Sequence, residues 1–205
     1  MGLLSASSGF TRFRIVDDVP ESLWSEIPDR LKRFAFKEIE NTADERAWGW
    51  VCLDDMLDSF WRTAPPEKGA YLAFTLRLDT RRVAPAVFKK HFTIAVRQAE
   101  KEAKEQGRKY LGRERKKELK EQVMLKLMAR SFPIPAVFDA VWNIQEGRIH
   151  LCCTGSKVIE LFMNHFTDTF DLHLEPLTPF ALGLDLLGEE AQPKLDAIEA
   201  SVFAG

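Results

Sequence analysis

Apolar and polar residues alternate most regularly between Tyr71 and Leu78. Leu72, Phe74, Leu76 and Leu78 fall on one side of an extended chain, and Ala73, Thr75 and Arg77 on the other, which predicts a strand. Phe10 to Val16 repeats the pattern, with Thr11, Phe13 and Ile15 facing away from Arg12 and Arg14. Trp48-Gly49-Trp50-Val51 is short, aromatic and β-prone, and predicts a further strand, as does Leu172 to Leu177. Val137 to Ile144 and Arg148 to Cys153 surround Gln145-Glu146-Gly147 and predict a hairpin.

The helical period appears elsewhere. Leu23, Ile27 and Leu31 recur every four residues after Asp17-Asp18-Val19-Pro20, a helix-start sequence. Pro28 lies inside that pattern and predicts a kink or a split. Asp54 to Lys68, with Asp54, Asp55, Asp58, Pro65 and Pro66, predicts a connection with one helical turn. Pro85 opens a long helix with Phe88, Phe92, Ala95 and Ala99 on one side. Gly107 and Gly112 bracket a break, and a second helix runs from about Arg113 to Arg130. That helix is charged all round at first and turns apolar through Leu119, Val123, Leu127 and Met128. Pro133 and Pro135 follow its end. Ser156 is placed to cap a helix carrying Val158, Ile159, Phe162, Met163 and Phe166, and Pro193 to Phe203 predicts a short terminal helix.

Strands adjacent in sequence favour antiparallel pairing, so the fold class is α+β. The expected architecture is antiparallel sheets with a pair of long basic helices inserted between two strand-helix-strand lobes. A single domain would hold lobes near residues 1–82 and 133–182, a basic helical segment at 83–132 and a short tail at 183–205. Hydrophobic content of 45%, with 15 Phe and 5 Trp, supplies a core without disulfides or metal. No charged leader with a long apolar run and no apolar run of about 18 residues is present, which predicts neither secretion nor a membrane span. The three cysteines, Cys52, Cys152 and Cys153, fit a reduced, cytoplasmic compartment.

Charge changes this picture most. Residues 86–130 hold 14 basic and 6 acidic residues, a balance of +8, while the remaining 160 hold 15 basic and 25 acidic, a balance of −10. At about 100° per residue, Lys90, Arg97, Lys101, Lys104 and Arg108 fall within roughly 60° of one another, opposite the Phe/Ala face. Arg113, Lys116, Lys117 and Lys120 line a stripe on the second helix. The bland reading is a solvated face with internal pairs such as Glu100–Lys104. The excess of positive charge exceeds what pairing consumes, and points to an anionic partner, nucleic acid first. Long cationic side chains tolerate variable phosphate geometry, and no base-reading pattern is present, so binding without sequence preference is expected. The alternatives are a protein-interaction module whose basic face meets an acidic partner, and a metal-dependent exonuclease.

The second alternative needs carboxylates gathered around a divalent cation. Asp54, Asp55 and Asp58 are the nearest candidates, in a Pro-bounded loop without a basic partner at suitable spacing. Cys152-Cys153 with His150, His165 and His173 lacks the spacing of structural zinc sites, and core cysteines are the simpler account. No Gly-rich phosphate loop and no nucleophile motif is present, so no metal, no cofactor and no catalytic residue is expected.

Ordered along the chain are Gly49-Trp50-Val51, Val83-Ala84-Pro85-Ala86-Val87-Phe88-Lys89, Arg108-Lys109, Lys116-Lys117-Glu118-Leu119-Lys120-Glu121-Gln122-Val123, Ala129-Arg130-Ser131-Phe132, Val141-Trp142, Gly147-Arg148-Ile149 and Leu174-Glu175-Pro176-Leu177. In that order and spacing the chain resembles the bacterial recombination-associated RdgC family. The resemblance implies a DNA-binding protein rather than an enzyme, although an older family label names an exonuclease. It implies a homodimeric ring that encircles duplex DNA with little sequence preference, sits on the nucleoid in the cytoplasm, and restrains RecA-type recombination by occupying DNA. Single-stranded DNA is a further ligand class. By motif position, Arg130 would contact DNA and Phe132 would lie at a dimer contact. The resemblance also implies a short member, with only Thr178 to Gly205 following the Leu-Glu-Pro-Leu segment.

Overall fold

The structure is a computed structural model that describes residues 2, 3, 5, 9–42, 44–105 and 110–198. Its strands are β1 (Thr11–Ile15), β2 (Arg46–Val51), β3 (Glu67–Lys68), β4 (Tyr71–Thr80), β5 (Ile134–Asn143), β6 (Arg148–Leu151) and β7 (Leu174–Pro176). They join in one sheet of order β2-β4-β5-β6-β1-β7, with β3 paired to β4. The helices are α1 (Glu21–Arg33), α2 (Pro85–Glu105), α3 (Arg113–Met128), α4 (Ser156–Phe170), α5 (Pro179–Leu187) and α6 (Gln192–Asp196). The fold is therefore α+β, and α2 and α3 stand between β4 and β5 in chain order. No helix among the described residues is long and apolar enough to cross a membrane.

The chain divides into two units, residues 1–35, 49–77 and 137–205 in the first and 36–48 and 78–136 in the second. In the first unit the period-two positions converge. Phe13, Trp50, Phe74, Trp142, Ile149 and Leu151 are fully buried, and join Leu23, Ile27 and Leu31 of α1 with Phe162, Phe166 and Phe170 of α4 in one apolar cluster. The rings pack edge-on and tilted, as between Trp50 and Phe74 at 5.0 Å and Phe166 and Phe170 at 4.7 Å. β1 sits between β6 and β7, with Phe13 opposite Ile149 on one side and Pro176 on the other. The β5–β6 hairpin turns as expected, and Gly147 takes φ 59° there.

Four expectations change. First, Pro28 does not split α1, which runs unbroken through it. Leu23, Ile27 and Leu31, on both sides of it, are buried, and their packing outweighs the roughly 3 kcal/mol that an interior proline costs. Second, residues 54–66 form no helix, and the backbone closes one isolated turn from the Asp58 N–H to the Asp55 carbonyl at 3.0 Å. The Asp55 carboxylate accepts the Leu57 N–H and the Asp58 carboxylate accepts those of Phe60 and Thr63, so side chains replace the helical pattern. Third, Gly155 rather than Ser156 precedes α4, and no side chain caps it. Fourth, α5 at Pro179–Leu187 was not expected; its Thr178 hydroxyl accepts the Ala181 N–H. The terminal helix ends at Asp196, and residues 199–205 lie outside the described residues.

The second face of β4 is buried as well, although it carries Thr75 and Arg77. Thr75 donates to the Asp139 carboxylate at 2.8 Å, and the same carboxylate accepts the Leu3 N–H. Arg77 donates to the Met56 carbonyl of the aspartate-rich loop. The loop and the segment around Leu3 thus meet polar groups that a solvent-facing strand would leave to water.

Candidate nucleic-acid interface

The second unit carries the basic helices. On α2, Ala99 and Ala103 are buried, Ala95 is half-buried, and the half-buried rings of Phe88 and Phe92 stack at 5.7 Å. That face is the one the sequence predicted. Lys90, Arg97, Lys101 and Lys104 are all exposed, whereas Arg108 lies outside the described residues. On α3, Leu119 is buried and Val123 and Leu127 are half-buried, an i, i+4 series where α3 meets α2. Arg113, Lys116, Lys117 and Lys120 are exposed.

Pairing absorbs little of this charge. Among the described residues of α2 and α3 the one ion pair is Arg115–Glu118 at 2.8 Å; the expected Glu100–Lys104 pair does not form. Lys89, Lys90 and Arg97 surround a shallow depression floored by Ala86, Thr93 and Ile94. A cation cluster of this kind suits an oxyanion, and a row of such positions suits a phosphate backbone.

Arg130 and Phe132 follow α3 in a turn. The Arg130 N–H donates to the Leu127 carbonyl and the Ser131 N–H to that of Met128, while the Ser131 hydroxyl also reaches Leu127. Arg130 is exposed, and Phe132 keeps 82% of its surface in water. Sequence reasoning missed the residue that fixes this turn. Arg81, 3% exposed, donates to the Met128 carbonyl at 3.2 Å and to the carbonyls of Ile39 and Glu40 at 2.6 and 3.0 Å. A cation on the last carbonyls of a helix is favoured by its dipole. Nothing in Thr80-Arg81-Arg82 marks it out, because its partners come from two distant segments. Lys89 and Lys126 were likewise counted only as charge.

The carboxylates considered for metal chemistry are occupied within their own loop. Asp54 pairs with Lys68 at 2.7 Å, and Asp55 and Asp58 accept backbone N–H groups. Partial burial pulls the Asp58 carboxyl up, but the amides of Thr63 and Phe60 hold it below its ordinary value. Cys152 is a buried free thiol whose pKa is pushed up to about 11 by desolvation, and Cys153 is half-buried. No group of three or more His, Cys, Asp or Glu side chains suited to a metal ion occurs among the described residues.

Residues 10–182 match the family model described as "Putative exonuclease, RdgC". The chain belongs to the RdgC family. No curated protein matches the sequence. Membership suggests a recombination-related, DNA-binding role for the chain, and the match ends within α5.

Proposed function

We propose that this RdgC-family chain binds duplex DNA without sequence preference, as a homodimer on the nucleoid, and modulates recombination by occupying DNA. The observation that carries the reading is the row of exposed cations on α2 and α3, of which a single one is ion-paired among the described residues. Lys90, Arg97, Lys101, Lys104, Arg113, Lys116, Lys117, Lys120 and Arg130 are the proposed phosphate contacts. Side chains of this kind on helices neutralise phosphates and release counterions. They supply position rather than base readout. Phe132, an exposed aromatic on the turn after α3, supports the dimer contact, since such side chains anchor protein interfaces.

Fluorescence anisotropy with labelled duplexes of unrelated sequence tests this. Log affinity should fall linearly with log salt, by about 0.9 per neutralised phosphate. Changing Lys101, Lys104 and Lys117 to Glu should weaken every duplex alike. Absence of duplex binding at low salt sinks the proposal, and loss confined to one sequence refutes the non-specific claim. The same samples with magnesium and end-labelled DNA report exonuclease activity directly. A RecA-type strand-exchange assay, with and without the protein, tests the antagonism.

A further inference from the structure

Between α2 and α3 lies a groove of about 330 Å³, at the lower end of the range of ligand sites. Ile94, Val123 and Leu127 form its apolar floor, with His91, Lys126 and Arg130 at its rim. No carboxylate lines it among the described residues. Ile94 falls on the cationic side of α2, within roughly 40° of Lys90 at about 100° per residue. It keeps 54% of its surface in water there. Bare phosphates would use the rim and leave this floor unfilled. The groove instead suits a ligand that is both apolar and anionic.

The chain carries such a segment. α5 is built of Pro179-Phe180-Ala181-Leu182-Gly183-Leu184-Asp185-Leu186-Leu187 and buries none of these side chains. Leu186 and Leu187 are 85% and 60% exposed, and Glu189 and Glu190 follow directly, also exposed. Asp185 is held by Arg14 at 2.6 Å, and Arg14 also grips Glu175 of β7. That pair fixes α5 on its own unit while Leu186, Leu187 and the two glutamates remain unpartnered among the described residues.

We propose that the groove receives the Leu186-to-Glu190 edge of a second copy of this chain. The two leucines fill the floor, and Glu189 and Glu190 meet Lys126 and Arg130. Recognition here pairs the apolar end of α5 with an apolar floor, and the opposite charges that follow Gly188 set orientation at the rim. The contact is heterologous, one surface meeting a different one, and stands apart from any contact made by Phe132. It does not depend on DNA binding. Because Arg130 belongs to both surfaces, duplex DNA and the second copy compete for it where the DNA reading holds.

The test uses a fluorescein-labelled peptide of residues 178–191 and the full chain. Saturable binding is expected, weakened at least tenfold by Ile94→Glu and by Arg130→Glu. Both positions are exposed, and circular dichroism checks that the variants fold. No saturable binding, or equal binding by Ile94→Glu, overturns the proposal. Sedimentation velocity then compares Leu186→Lys/Leu187→Lys with the parent, both carrying Phe132→Ala to remove the other contact. Self-association should move to at least tenfold higher concentration. Association unchanged by the leucine substitutions, or a single-chain mass at every concentration, overturns the second copy as occupant. Peptide binding without any duplex binding would sink the DNA reading and leave this one standing.

Discussion

At the scale of single residues, the core is held by a few polar groups that the aromatic packing would otherwise strand. Trp50 Nε1 donates to the Thr169 hydroxyl at 2.8 Å, and that hydroxyl donates to the His165 carbonyl at 2.6 Å. Thr169→Val keeps the shape and leaves the indole N–H unpaired. Urea unfolding should show a loss of about 1–3 kcal/mol. His165 itself is buried, with Nε2 3.2 Å from the Phe34 carbonyl. Burial holds its pKa below the ordinary 6.5, against the Phe34 hydrogen bond and the nearby Asp168 charge. The sign follows. Below pH 6.5 the unfolded chain takes up a proton that the native ring refuses, so His165 removes stability as pH falls from there towards its folded pKa. Unfolding at pH 7.5 and pH 5.5 should show this fall, and His165→Phe should reduce it.

At the scale of elements, the basic helices separate two jobs by face. Leu119 is 8% exposed and lies where α3 meets α2. Leu119→Ala should cost about 2 kcal/mol or more in thermal or urea unfolding. Lys101→Glu and Lys104→Glu, on the solvated face, should each change stability by no more than about 0.5 kcal/mol. A large destabilisation by the charge reversals would show that this face is structural. The faces of α2 were legible in the sequence because a 3.6-residue period needs only local residues. The loop at 54–66 was not, because Asx-type turns and a short helix draw on the same residues and differ only in which N–H each carboxylate meets. The split expected at Pro28 fails for another reason. A local rule forbids the proline, and the burial of Leu23, Ile27 and Leu31 overrides the rule.

At the scale of the whole molecule, net charge hides the feature that matters. The chain totals −2, yet residues 86–130 carry +8. Retention on heparin at pH 7.5, with elution by salt, is expected despite the negative total, because binding follows the local field rather than the sum. Passage through the column at low salt would mean that the acidic remainder cancels the basic face.

The amino-acid sequence alone determined the α+β class, the strands with period-two patterns, the buried face of α2, the charge asymmetry and the family. Each rests on residues near one another in the chain, or on motifs kept in order. Tertiary structure decided the rest. β1 lies between β6 and β7, partners more than 130 residues away. Arg81 reaches the end of α3 from the end of β4, and α2 with α3 forms a cation-rimmed groove around Ile94. Those features arise only when distant segments meet, because hydrogen-bond geometry and apolar burial are satisfied in space and leave no period along the chain.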